Sequence, residues 1–347
     1  MFEIKFNLQM FADAGTVTNT TTGDVNAYDG TAHATGALSP TMKTYYDTEL
    51  LENARAEMVH AQFAKKQGLP KNRGRKVEWR KWNTLPNASK LTEGVIPTGE
   101  KLGMTYIDDT IDQYGIYVTV SDVLELHAID DVILGASEEL GASSGKTQDE
   151  LVRNDLVTGT NVLYADKVVA GTVTPINDRA NLTVDCKLTP DVVNQAVTIL
   201  KKMHAPKFNG KYVAVIHPSV AYDLRSSDEW IEVHKYAKPD EIFSGEIGEL
   251  HGVRFIESTQ AKVVRNDADT LSVYFCLFLG KDAYGTIDPD GGALEMIVKP
   301  KEQVGGPLNQ FSTIGYKLET NGAKILYQER ILRVECCGKY STTDTAN

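Results

Sequence analysis

The chain has 347 residues, 41% of them hydrophobic, and a formal charge of −11 from 36 basic and 47 acidic side chains. That length fits two domains or one domain with extensions, and the apolar share is enough for a sizeable core. The acidic balance argues against a protein that coats nucleic acid through Lys and Arg, and no apolar run approaches the ~20 residues of a membrane helix.

The first twelve residues mix Glu3, Lys5, Asn7 and Gln9 with apolar side chains, so they lack the apolar core of a signal peptide. Residues 13–38 are rich in Gly, Thr, Ala and Asn and hold little that could bury, which predicts a mobile or partner-ordered arm. Ser39-Pro40 supplies a helix N-cap followed by Pro at the first helical position. Leu50, Ala54, Met58 and Ala61 share a face of the helix expected there, and Gly68 and Pro70 are expected to end it.

Residues 71–120 differ in character. Lys71, Arg73, Arg75, Lys76, Arg80 and Lys81 crowd together around Trp79, with Trp82 following. Cations interleaved with indoles suit phosphates and stacked bases. They suit equally an extended segment lying against an acidic neighbouring subunit, which is simpler for a chain that is acidic overall. Residues 83–103 hold Pro86, Gly94, Pro97, Gly99 and Gly103, the chemistry of a long loop tip. Alternation resumes over Tyr114, Ile116, Val118 and Val120, so an extended hairpin is expected to close there. Asp108, Asp109 and Asp112 lack the spacing of a calcium loop and read as a solvated acidic face.

From about Asp130 to Val157 the pattern predicts one long helix, or two end to end. Val132, Ile133, Ala136 and Leu140 form one apolar strip, and Leu151, Val152 and Leu156 another. Thr147 and Glu150 have capping-box spacing, which would allow a restart. A helix this polar is expected to lie across a larger body and bury a narrow stripe. Gly141-Ala142-Ser143-Ser144-Gly145-Lys146-Thr147 resembles a phosphate-binding loop, but three residues separate its glycines where four are needed, and a helical pattern precedes it instead of a strand. A flexible joint in the helix is the plainer reading.

Strands and turns are expected over 165–188. Thr189-Pro190-Asp191 starts a helix with Val192, Ala196, Ile199, Leu200 and Met203 on one face. Tyr212–Ile216 is uncharged and β-branched, so a buried strand is expected. His217 next to Ser219 suggests hydrolase chemistry, but there is no Gly-x-Ser-x-Gly elbow and Pro218 points to a strand-to-helix turn. A helical stretch holding Leu224 and Trp230 is expected next. His204, His234 and His251 lie too far apart to argue for a metal site. Leu250–Ile256 predicts a turn into a strand, Leu271–Leu279 a central strand, 283–299 a turn and strand pair, and 307–317 an extended segment. Apolar Ala323–Leu326 and Ile331–Val334 follow. Cys186, Cys276, Cys336 and Cys337 show no CxxC spacing, so they read as reduced thiols of a chain made in a cytoplasm, with Cys276 a small core residue. No motif calls for a cofactor, metal or catalytic residue.

Several stretches together resemble the major capsid proteins of tailed bacteriophages. They are Asn7-Leu8-Gln9-Met10-Phe11-Ala12, Val213–Ser219, Gly248–Arg254, Gly280–Gly285, Pro307-Leu308 and Gly315-Tyr316-Lys317. Their order and spacing over residues 7–335 carry the match. The resemblance implies an α+β, Hong Kong 97-type capsid fold. In that scheme residues 1–38 are the N-terminal arm and 39–70 a helix of the arm or peripheral domain. Residues 71–120 are an extended loop reaching across a neighbouring subunit, and 121–188 are the peripheral domain with its spine helix. Residues 189–305 are the axial domain, and 306–347 return to the peripheral domain and tail. The resemblance further implies pentamers and hexamers closing into an icosahedral shell around double-stranded DNA. It implies portal, scaffold and decoration proteins as partners, a virion location and assembly in the bacterial cytoplasm. Some relatives join a loop Lys to an Asn of another subunit; here Lys90 and Lys101 lie on the loop and Asn321 in the matching half of the chain, and nothing in the sequence selects them. Arg73, Arg75, Lys76, Trp79, Arg80, Lys81 and Trp82 are the expected inter-subunit contacts. The rival readings are a soluble α/β enzyme with an unrecognised pocket and a basic-arm nucleic-acid binder.

Overall fold

The structure, a computed structural model, describes residues 58–94, 96, 98–127, 132–169, 171–227, 248–266, 270–289, 294–304 and 308–347. The expected arm and Ser39-Pro40 helix start, Trp230 and His234 lie outside those residues. In chain order the strands are β1 (Lys65–Leu69), β2 (Lys76–Trp82), β3 (Met104–Thr110), β4 (Asp112–Ser121), β5 (Val162–Tyr164), β6 (Lys167–Val169), β7 (Thr172–Thr174), β8 (Tyr212–Ile216), β9 (Glu249–Leu250), β10 (Val253–Glu257), β11 (Val263–Arg265), β12 (Ser272–Leu279), β13 (Tyr284–Pro289), β14 (Leu294–Lys299), β15 (Phe311–Thr320), β16 (Lys324–Ile325) and β17 (Ile331–Cys337). The principal helices are α1 (Asp122–His127), α2 (Val132–Val157), α3 (Pro190–Lys202) and α4 (Pro218–Arg225). Among the described residues no helix is long and apolar enough to cross a membrane.

A seven-stranded mixed sheet holds the largest core. Its order is β5-β17-β12-β8-β10-β9, with β11 pairing to β12. Every residue of β8 and of β12 is buried, which is why both segments are uncharged and rich in β-branched or aromatic side chains. Alternation along β8 sends Tyr212, Ala214 and Ile216 to a core with Val192, Ala196 and Leu200 of α3 and Val220 and Leu224 of α4. Val215 joins Leu277, Leu279 and Ile331 in a second core with Val152 and Leu156 of α2. Thr189 caps α3, its hydroxyl accepting from Val192 N. His217 caps α4 and accepts from Ser219 N, so the His-Pro-Ser stretch is the expected strand-to-helix turn.

The smaller sheet, β14-β15-β4, packs under the first half of α2. Ile314, Tyr316 and Leu318 of β15 meet Ile133, Ala136 and Leu140. The helix therefore bridges two sheets, using each apolar strip on a different one. It is a single helix. Thr147 Oγ1 donates back to Ser143 O at 2.8 Å, inside the helix, so no restart occurs there.

Four sequence expectations need correction. The helix expected up to Gly68 is absent over the described residues 58–69, where turns lead into β1. β1 pairs in parallel with β13, and Phe63 and Ala64 pack into the second core, so long-range pairing overrides local helical spacing. The extended hairpin closes at β3, which pairs with β2, whereas β4 pairs with β15 in the smaller sheet. β13 and β14 do not pair with each other: β13 joins β1 and β16, and β14 joins β15. Finally, β17 lies between β12 and β5 in the large sheet, so the chain after residue 306 contributes its last strand to the body expected for 189–305.

Candidate assembly surfaces

The β2–β3 hairpin sorts its residues by alternation. Val77 and Trp79 point inward and are buried with Ile111, Ile287 and Leu326. The Trp79 ring lies on Gly285: a Cβ there would come within 3.0 Å of Trp79 Cζ2. Trp79 therefore fastens the base of the hairpin to its own subunit. On the outward face Trp82 is 62% exposed and pairs across the ladder with Met104, beside the exposed Tyr106. Beyond this pair the tip exposes Leu85, Leu91, Ile96 and Leu102. A two-stranded ribbon with so much uncovered apolar surface is marginal in water on its own.

Most of the cation cluster is paired within the chain. Arg75 donates to Ile111 O at 2.7 Å and to Asp112 at 3.0 Å. Lys76 bonds Asp108, and that bond raises the lysine's pKa and lowers the carboxyl's. Arg80 Nε meets Glu78 at 3.1 Å. Lys81 lies 3.9 Å from Glu329 and 4.4 Å from the Tyr327 ring centre. Arg73 is exposed in the turn before β2. Thus two of the three clustered aspartates neutralise hairpin cations, while Asp109 accepts from Asn321 Nδ2 at 2.7 Å. That bond, with Ile287 N donating to Asn321 Oδ1 at 2.9 Å, engages both ends of the Asn321 amide inside its own subunit.

A second apolar surface flanks α2. Leu294, Met296 and Val298 of β14 stand opposite Leu318, Tyr316 and Ile314, on the face that α2 covers only along its middle strand. All three are exposed, as are Ile116 and Val118 on the other side. Val123, Leu124 and Leu126 of α1 are likewise exposed.

The other motifs resolve into structure. Gly141–Thr147 lies wholly within α2. Ser219 Oγ donates to Asp344 Oδ2 at 3.0 Å, and Tyr274 OH donates to the same oxygen at 2.6 Å. The His217 Nδ1 lone pair is occupied by Ser219 N at 3.2 Å, so the imidazole caps the helix and does not take the serine hydroxyl. Burial lowers the His217 pKa against the pull of Asp344. All four cysteines are buried free thiols, and burial pushes Cys337 up to about 12.

Sequence reasoning missed the buried charges that tie the body together. Asp149, in mid-helix, accepts from Val59 N at 3.0 Å, His60 N at 2.8 Å and His60 Nδ1 at 2.7 Å. Tyr284 OH donates to His60 O. The segment entering β1 is thus pinned to α2 and β13 together. Glu335, fully buried in β17, receives Arg179 through two bonds at 2.6 and 2.7 Å, with Arg333 Nε 3.0 Å away. Asp155 accepts from Ala323 N at 2.9 Å. The Asn321-Gly322 turn was the one local signal for that last contact. Asp149 and Glu335 carried none, because their partners come from far along the chain.

Comparison with known proteins supplies the context. A family model described as phage capsid protein matches residues 154–283. None of the curated proteins matches the chain. Among solved structures, the capsid of cyanophage P-SCSP1u superposes with a TM-score of 0.64 at 17% identity, covering 85% of this chain and 92% of that one. The capsid of Ralstonia phage GP4 gives 0.63 at 16%, covering 89% and 98%. The capsid asymmetric unit of cyanophage Pam1 gives 0.66 at 12%, covering 88% and 99%. The chain has the Hong Kong 97-type fold of phage capsids, with its central residues 154–283 matching the phage capsid protein family.

Proposed function

We infer that the chain is the major capsid protein of a tailed double-stranded DNA bacteriophage, a structural protein whose copies form pentamers and hexamers of an icosahedral shell. The observation that carries this reading is the capsid fold over most of the chain together with a hairpin whose apolar tip is exposed among the described residues. In this reading residues 1–38 are the arm and the β2–β3 hairpin is the extended loop. α2 is the spine helix over the peripheral sheet, and the large sheet with α3 and α4 is the axial domain. The contact set expected from sequence (Arg73, Arg75, Lys76, Trp79, Arg80, Lys81 and Trp82) narrows, because Trp79 is buried in its own subunit and Arg75, Lys76, Arg80 and Lys81 have partners within the chain. Trp79 and the paired cations shape and brace the hairpin, while Trp82 and the tip meet the neighbour. Each contact is modest, and closure of the lattice multiplies them.

Portal, scaffold and decoration proteins are further partners in this scheme, and assembly takes place in the host cytoplasm. An acidic subunit holds DNA by enclosure with little adhesion. The test is a Trp82→Ala, Leu85→Ser double variant. Both side chains are exposed, so the subunit is expected to keep its melting temperature and lose closed shells. Normal shells from this variant would remove the hairpin from the assembly mechanism.

A further inference from the structure

The chain contains two Asn-Gly pairs, Asn209-Gly210 and Asn321-Gly322, in opposite environments. Asn209 and Gly210 are the central residues of a tight turn whose flanking residues exchange two bonds, Phe208 N to Lys211 O and Lys211 N to Phe208 O, both 2.8 Å. Their φ values of 45° and 87° place both in the left-handed region that such two-residue hairpins require. Both residues are exposed, and a Cβ built on Gly210 meets nothing within 4 Å. Among the described residues neither the Asn209 carboxamide nor the Gly210 N–H has a hydrogen-bond partner.

Asn321 is the reverse case. Its amide is bonded at both ends, to Ile287 N and Asp109. Gly322 is buried and its N–H donates to Thr320 Oγ1 at 3.2 Å. Asp155 Oδ2 lies 2.3 Å from where a Cβ on Gly322 would sit, so the backbone has no room to swing.

We propose that Asn209 is a site of spontaneous deamidation in the folded subunit and that Asn321 is protected. The Gly210 amide nitrogen gives up its proton and bonds to Asn209 Cγ. The Cγ–N bond of the carboxamide breaks, and ammonia leaves with that proton. The resulting five-membered succinimide takes up water at either carbonyl and opens to aspartate or isoaspartate, with no change of oxidation state. Gly at the second position is what lets the nitrogen approach, because no side chain blocks it. Opening the turn costs only the two backbone bonds of an exposed hairpin tip. The product adds a carboxylate beside the Lys211–Glu249 ion pair, at the entrance to β8.

The test is peptide-mapping mass spectrometry of the folded chain held in mildly alkaline buffer, beside the same chain unfolded in urea. In urea both asparagines are expected to convert at similar rates. In the folded chain the Asn209 peptide is expected to accumulate aspartate and isoaspartate at least an order of magnitude faster than the Asn321 peptide. Folded protein that retains its Asn209 amide while the urea sample converts would overturn the proposal, and so would equal conversion at the two sites.

Discussion

Glu335 shows how much a single buried residue carries. It sits on β17, beside β12, with no exposure, and both cations that reach it are packed over the Phe275 ring. Removing its charge takes away the buried carboxylate that the Arg179 and Arg333 guanidiniums share. Glu335→Gln is therefore expected to lower unfolding stability by about 3 kcal/mol in urea titration, and a loss near zero would mean that the ion cluster is energetically idle. Asp155 works in the other direction. Burial holds its carboxyl above the ordinary aspartate value, with Asp109 adding to the rise and the Ala323 N–H and Lys324 opposing it. The folded state then binds the proton more tightly than the unfolded state. The cost of the charged form is absent below the unfolded pKa and complete above the folded one. Asp155→Asn is expected to raise the melting temperature at neutral pH and to give no gain near about pH 3. Equal gains at both pH values would contradict this. These charges were illegible in the sequence, since an acid in a helix or a Glu before two cysteines looks alike whether or not a distant Arg or His meets it.

At the scale of elements, the sequence was informative wherever a segment's fate depends on its own side chains. The long helix, the capped start of α3, the buried runs of β8 and β12 and the His-Pro-Ser turn all announce themselves through periodicity or cap chemistry. The failures are failures of partnership. β1 looked helical until β13 offered it a parallel edge, and β13 and β14 are neighbours in sequence that pair elsewhere. The hairpin was half legible: its loop tip was plain, but its returning strand is β3 and not the 114–120 segment, and which tryptophan faces inward depends on Gly285, about two hundred residues away. Two substitutions separate the helix readings. Thr147→Ala is expected to change stability by no more than about 0.5 kcal/mol, because the hydroxyl bonds within the helix and caps nothing. A loss of about 1 kcal/mol or more would revive the restart. Leu140→Ala, by contrast, empties the contact between α2 and β15 and is expected to cost about 2–4 kcal/mol by thermal or chemical unfolding. A loss well below that range would mean the smaller sheet is held by other contacts.

For the whole molecule, the distribution of apolar surface is the main fact. Among the described residues the large sheet is covered on both faces, whereas the hairpin tip, the flanks of α2 and α1 expose apolar side chains. A subunit with a finished core and unfinished edges is built to be completed by others. Negative-stain electron microscopy of the purified chain, over a range of protein concentration and salt, tests this most directly. Rings of five or six copies and closed shells are the expected result. A monodisperse monomer or dimer under every condition would contradict self-assembly as the role of this chain.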